Sequence, residues 1–322
     1  MYYNEVNIIV IVFASLSMAL CLSQIVTCIV FRRKLLSKTY IQVVFFMGIS
    51  DFLGAMSMVA SFKDGSILCS IQGPLIIFSQ CSAILWADCA VRILYLAVIH
   101  DRQPHESNGM RFYHLCCWGI PLLICTLLVS TTNIGRSADD DGHFMYCWAT
   151  SEEHSSNGTI IAWHTVFFTV VWVSILYISF HFYIILHHVK FSYAESSPVI
   201  REAIAKLAAY PVIFVSCYSL ISCRFVISLA GASFRDVDYY VLDVFCDSLQ
   251  VSQGLFTCIF FYTVNPNVLN LWRIHLYRSD SLASIGSAPI SLDVSYSTDA
   301  DISNPTSSPL RKPILSESDT VN

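Results

Sequence analysis

The chain has 322 residues, 55% of them hydrophobic and only 13% charged, with a mean hydropathy of +0.60. A soluble domain carries roughly 25% charged residues, so this composition excludes an ordinary soluble globule and gives no basis for a nucleic-acid partner. The net charge of -5 says little by itself, because charge in a membrane protein matters by location.

Apolar runs fall at about 6–31, 40–62, 69–98, 113–132, 160–187, 203–230 and 239–264. Each is long enough for the ~20 residues that cross a bilayer as a helix. The runs are continuously apolar and lack the alternation of a lipid-facing barrel. The expected fold is an all-α membrane protein, a seven-transmembrane helix bundle over 1–264. An amphipathic helix on the membrane surface follows at 265–278, and a disordered cytoplasmic tail at 279–322. The first run is expected to be a span and not a signal peptide. Its leading segment, MYYNEVN, has no positive charge, and the run exceeds an h-region of about 7–15 residues.

The basic residues divide unevenly between the connecting segments. Arg32, Arg33, Lys34, Lys38, Arg102, Arg111, Lys190, Arg201, Lys206, Arg273, Arg278, Arg311 and Lys312 fall on one side, against Lys63, Arg136 and Arg235 on the other. The side richer in Lys and Arg is cytoplasmic, which places the N-terminus outside and the C-terminus inside a plasma membrane. Asp139–Asp141, Glu152 and Glu153 then lie outside, as does Asn157-Gly158-Thr159, a glycosylation acceptor that works only in a lumenal loop. Most of the thirteen cysteines fall within spans, where they are ordinary packing. Cys69 opens the third span and Cys147 sits in the second outer loop, both on the oxidising side. A disulfide between them would tether that loop over the bundle.

Charged residues inside a bilayer mark function or a paired structural network. Asp51 lies near the middle of the second span. Asp88 and Arg92 lie in the inner half of the third, spaced i,i+4 on one helix face. The three are expected to form a buried network, either a latch that rearranges on activation or a static ion pair holding spans two and three. Toward the outside, Arg224 in the sixth span faces Asp243 and Asp247, which share a face of the seventh. One carboxylate would pair with the guanidinium and leave the other facing a ligand cavity; the alternative is a structural salt bridge. Pro211, in LAAYPVIFVSCY, interrupts the sixth helix and is the expected hinge for its inner end. Pro74 and Pro121 read as ordinary transmembrane prolines.

Beyond Asn265-Pro266, Leu269, Trp272 and Leu276 share one face of NVLNLWRIHLYR, which suits a helix lying on the inner leaflet. From Ser279 the chain is rich in Ser, Asp and Pro and reads as disordered, with phosphorylation candidates such as Ser308.

The third span, FSQCSAILWADCAVRILYLAV, resembles the S-x-x-L-W…Y-L pattern shared by slime-mould cyclic-AMP receptors and their relatives, including the secretin/adhesion class. Ser82, Leu85, Trp86, Tyr95 and Leu96 carry the match. Cys69 and Tyr146-Cys147-Trp148 match the outer disulfide, and Ser50–Gly54 fits the second span. Tyr210–Val226 is similar to the sixth-span Y-P…C-W…N-R pattern, with Tyr218 in place of the Trp and Cys223 in place of the Asn. The similarity covers most of 7–265. It implies a G-protein-coupled receptor that binds an extracellular small ligand, anionic and cyclic-nucleotide-like if Arg224 keeps the family's basic role. A heterotrimeric G protein would be contacted through Arg102, Lys190, Arg201 and Lys206, the alternative being that these charges only anchor helices at the headgroups. A receptor kinase and an arrestin-like protein would act on the tail. No cofactor, metal or enzymatic activity is expected.

Asp101-Arg102 is two thirds of the D-R-Y switch of rhodopsin-like receptors. Counted from Cys69, it falls roughly two helical turns beyond the place those receptors carry the Arg. It is therefore read as loop surface charge. A retinal protein would need a lysine in the last span, and 239–264 contains none. The remaining alternative is a transporter or channel using the buried charges as a path, against which stands the lack of an internal repeat.

Overall fold

The computed structural model describes residues 2–59, 66–100, 107–131, 133–135, 147–150, 157–192, 206–229 and 236–286. The helices are α1 (Tyr2–Val30), α2 (Arg32–Leu35), α3 (Thr39–Val59), α4 (Ile67–Ile99), α5 (Ser107–Thr131), α6 (Asn157–Ser192), α7 (Ala209–Leu229), α8 (Asp236–Val251), α9 (Gln253–Val264) and α10 (Pro266–Gly286). A short antiparallel hairpin, β1 (Asn133–Gly135) with β2 (Trp148–Thr150), pairs Ile134 with Ala149. It lies in the segment expected as the second outer loop.

Six described stretches are long and apolar enough to cross a membrane: Ile8–Val30, Thr39–Val59, Ile67–Ile99, Gly109–Thr131, Ala162–Val189 and Val244–Val264. Ala209–Cys223 of α7 is a shorter seventh, so the helices agree with a seven-helix membrane bundle. Because lipid is as apolar as leucine, burial does not sort these helices the way it would in water. The most enclosed stretch is that of α4, 61% buried, against 22% for α5. The central helix is therefore α4, and α5 turns side chains such as Leu115, Leu122 and Leu123 outward.

Around α4 the packing is aromatic. Trp86 is fully buried, stacks on Phe46 at 5.1 Å, and meets His114 and Trp118 edge-on. Offset and edge-to-face geometries of this kind add to area burial. The Trp of the recognised third-span pattern is thus a core residue that joins α3, α4 and α5.

The interruption of the sixth helix falls at Ala208, with Lys206 and Leu207 helical before it, and Pro211 sits in the first turn of α7. Proline lacks the N–H that would bond the Leu207 carbonyl, which accounts for the interruption beside it. In α10, Leu269 points outward, 59% exposed, while Val268, Leu271 and Trp272 turn to the bundle. The reason is a polar anchor at Thr27 of α1. The Trp272 indole N–H donates to Thr27 Oγ1 at 3.0 Å, and that hydroxyl also meets Tyr262 Oη at 3.1 Å. Residues up to Ile274 form one compact unit; those from His275 onward form a second, of which the helix to Gly286 is described.

Candidate functional site

The disulfide expected between Cys69 and Cys147 is present, with Cα atoms 5.3 Å apart. Its setting is more elaborate than two thiols in reach. Ser66 caps α4 by accepting from the Cys69 N–H at 3.1 Å, which fixes where that helix begins. One turn on, Gln72 is buried and donates to the Ser57 carbonyl of α3 at 2.7 Å. Its Oε1 accepts from the Cys147 N–H at 3.0 Å. A single carboxamide thereby ties the loop cysteine to two helices, a residue that a search for charges passes over.

Deeper in the bundle a cavity of about 30 Å³, measured as space open to the centre of a water molecule, is lined by side chains of α3, α4, α7, α8 and α9. Its polar lining is Ser50, Asp51, Ser79, Gln80, Gln250 and Gln253, closed on one side by Tyr218. That is room for one or two waters. Asp51 Oδ2 is sealed from solvent and has no hydrogen-bond partner. Tyr218 and Gln250 both line the cavity, so the residue standing where the family pattern has Trp faces it where α7 meets α8.

The walls are fixed by close backbone approach. A Cβ on Gly254 would lie 2.5 Å from Ser17 Oγ, 2.8 Å from Cys21 Sγ and 3.0 Å from Asp51 Cβ. Glycine is what lets α1, α3 and α9 meet there. The turn at Ser252 separates α8 from α9, and its hydroxyl donates to the Ser248 carbonyl at 2.6 Å.

The three residues expected to form one network are held apart. Asp51 stands level with Ser79, Gln80 and Ala83 of α4, so Asp88 lies about 8–12 Å further along that helix. Asp88 Oδ2 instead accepts from Ser174 of α6 at 2.7 Å, and its Oδ1 is closed off without a partner. Arg92 is exposed on α4, within electrostatic reach of Tyr113 on α5 and Tyr177 on α6. Among the described residues no ion pair joins Asp51, Asp88 and Arg92; the helices cross at a register that the i,i+4 spacing within α4 could not reveal.

Lys206 donates to Tyr40 Oη at 3.3 Å and lies over that ring, linking the start of the sixth span to α3. Asp247 is half-buried on α8. The side chains of Arg224, Asp243, Asn157 and Lys190, together with Asp101, Arg102, Arg201 and Ser308, lie outside the described residues.

The model of the slime mold cyclic AMP receptor family matches residues 1–312. The chain belongs to that family. Among its relatives, cyclic AMP receptor-like protein A of Dictyostelium discoideum is 21% identical over 270 residues, covering 81% of this chain and 67% of the relative. G-protein coupled receptor 157 of Homo sapiens is 26% identical over 237 residues, 67% of this chain and 68% of the relative. Cyclic AMP receptor 1 of Dictyostelium discoideum is 21% identical over 137 residues, 41% of this chain and 34% of the relative. With its membrane-spanning helices and the Cys69–Cys147 disulfide, the chain is a multi-pass receptor of the G-protein-coupled type and not a transporter. The family implies a ligand and a G protein as partners, at the plasma membrane.

Proposed function

We propose that the receptor binds a small extracellular ligand beneath the loop tethered by Cys147 and converts binding into nucleotide exchange on a heterotrimeric G protein. The N-terminus is outside and the C-terminus inside, the orientation supported by the Lys and Arg count; Asn157 then faces outward as a glycosylation acceptor. Arg224, Asp243 and Asp247 form the ligand site in the outer half, and Arg224 suits an anionic group of the cyclic-nucleotide kind. The charges Arg102, Lys190, Arg201 and Lys206 face the G protein, and tail hydroxyls such as Ser308 receive a receptor kinase and then an arrestin-like protein. No enzymatic step is part of this reading.

The observation that carries the reading is the cavity at Asp51. A carboxylate whose Oδ2 is unpartnered among side chains of five helices has a different energy for each relative placement of those helices, which is what a two-state element requires. Asp88 with Ser174 supplies a second such contact, between the third and fifth spans. Lys206 on Tyr40 closes the inner end of the sixth span, with the break at Ala208 and Pro211 as its hinge.

The test is exchange on a co-expressed Gα with cyclic nucleotides screened first. A response is expected that Arg224→Ala abolishes while surface display is kept. A full response in Arg224→Ala sinks the ligand site, and no exchange with any ligand of a broad screen sinks the coupling.

A further inference from the structure

Between α1 and α3 the chain makes one tight turn, α2 and the residues after it, that is dense in cations. Arg32, Arg33, Lys34 and Lys38 fall within 32–38 and all four are exposed. No Asp or Glu occurs from residue 6 to residue 50. The backbone of the turn is tied to itself. The Leu36 N–H donates to the Arg32 carbonyl at 2.9 Å, the Lys38 N–H to Leu35 at 3.1 Å, and the Ser37 hydroxyl to Lys34 at 3.2 Å. The Gln42 carboxamide of α3 donates to the Leu36 carbonyl. Leu35 is buried and Leu36 packs against the same core, so the apolar side chains root the turn and the charged ones stand clear of it.

Neighbouring elements bring further charge to this end of the bundle. Phe31, just before the turn, meets the Trp272 ring of α10 edge-on at 5.3 Å, and Arg273 beside that Trp is exposed. Tyr40, just after it, has the Lys38 ammonium 5.9 Å from its ring centre and the Lys206 ammonium 5.4 Å from it. Two positive charges from different spans therefore share one ring.

Arg32 stands two residues past Val30, where the apolar stretch Ile8–Val30 ends, so the turn lies at the level of the lipid headgroups. Four or more cations in that place form a recognition site for anionic headgroups. An arginine fork takes two phosphate oxygens at once, whereas a lysine adds a point charge. Phosphatidylserine offers one phosphate and carries an ammonium of its own. A phosphoinositide offers several phosphates, and the adjacent forks of Arg32 and Arg33 with Lys34 and Lys38 close behind match that arrangement.

We propose that the turn between α1 and α3 binds the headgroup of a polyphosphorylated inositol lipid, with Arg32 and Arg33 on its phosphates and Lys34 and Lys38 at its edge. This rests on the orientation proposed above, which puts the turn at the cytoplasmic leaflet. Bound there, the lipid sits beside the Lys206–Tyr40 contact that closes the inner end of the sixth span.

The full-length receptor is placed in phosphatidylcholine nanodiscs holding equal shares of phosphatidylinositol 4,5-bisphosphate and phosphatidylserine, and the lipids it retains are counted by native mass spectrometry. Wild type is expected to retain the bisphosphate in clear preference. Each cation removed should weaken binding about fivefold. Arg32→Gln/Arg33→Gln should therefore bring retention down to the phosphatidylserine level, and Lys34→Gln/Lys38→Gln should lose less because both forks remain. Arg111→Gln, exposed on α5 outside the turn, should retain the lipid as wild type does. All the substituted side chains are exposed, so a lost fold does not stand in for lost binding. Wild-type retention in both double variants overturns the proposal, as does an equal loss in Arg111→Gln. Failure of wild type to prefer the bisphosphate also overturns it and leaves these charges to the G protein. Nanodiscs expose both faces, so none of these outcomes touches the orientation. That reading fails separately if an N-terminal tag on intact cells escapes an impermeant antibody.

Discussion

Around Gly254 three helices crowd so that an added Cβ would press on Ser17, Cys21 and Asp51, whereas at Arg92 a permanent charge stands exposed within the apolar stretch of α4. Both places hold polar groups at depth in an apolar bundle, and they manage the cost in opposite ways. At Asp51 the surroundings are closed, small and uncharged, with three glutamines and two serines in place of counter-charges. At Arg92 the charge is permanent and exposed. An enclosed polar site responds to helix movement; an open one responds to what surrounds the protein. A receptor has use for both.

The sharpest break in that comparison comes from removing the tether over the enclosed side. Cys147→Ser frees a loop joined to Cys69 across 78 residues, and apparent stability in detergent should fall by about 2–5 kcal/mol, with surface display lost in step. A melt of the variant equal to wild type would mean that Gln72 alone holds the loop. Next in size is a pair of glycines. Gly254→Ala should cost about 1–3 kcal/mol, since Ser17, Cys21 and Asp51 must all shift. Gly109→Ala on α5, where a Cβ meets nothing within 4 Å, should be neutral or stabilise by up to about 1 kcal/mol. If the two variants melt alike, the crowding at Gly254 does not govern stability.

Ser174→Ala sharpens the comparison at a third point. It leaves Asp88 with neither oxygen partnered and should cost about 1–2 kcal/mol. The same substitution should change basal exchange on a Gα, because the contact joins the third span to the fifth. Unchanged basal exchange at reduced stability would mark the pair as structural.

The seven spans and the Cys69–Cys147 bridge were legible because each depends on local composition or on a count along the chain. A run of twenty apolar residues spans a bilayer whatever its neighbours do, and two cysteines at one end of the bundle stay there. Registers between helices were not legible. Nothing in the sequence sets Asp51 level with Gln80 and away from Asp88; that follows from where Gly254 lets α1, α3 and α9 approach. Charge served as the filter for function, so Gln72, Gln250 and Gln253 escaped it, although uncharged carboxamides are the cheaper polar groups to bury. The i,i+3 and i,i+7 pattern in α10 put Leu269 and Trp272 on the face toward the inner leaflet. It could not show the hydroxyl on α1, Thr27, that ties Trp272 to the bundle.

The smallest expected effect is also the one whose sign discriminates best. Asp51→Asn keeps the shape of the side chain and replaces one oxygen by an amide that donates. In the enclosed cavity Asp51 Oδ2 has no donor aimed at it, so a charge there is uncompensated, and the neutral amide removes that cost. Gln80 and Gln250, which also line the cavity, offer carbonyl oxygens for the new N–H groups to seek. The receptor should therefore gain about 1 kcal/mol of stability on melting in detergent, while agonist-driven exchange falls because the two helix arrangements no longer differ in how they treat a carboxylate. Exchange with normal amplitude in Asp51→Asn would take the two-state element away from this cavity and leave the Asp88–Ser174 contact as its seat.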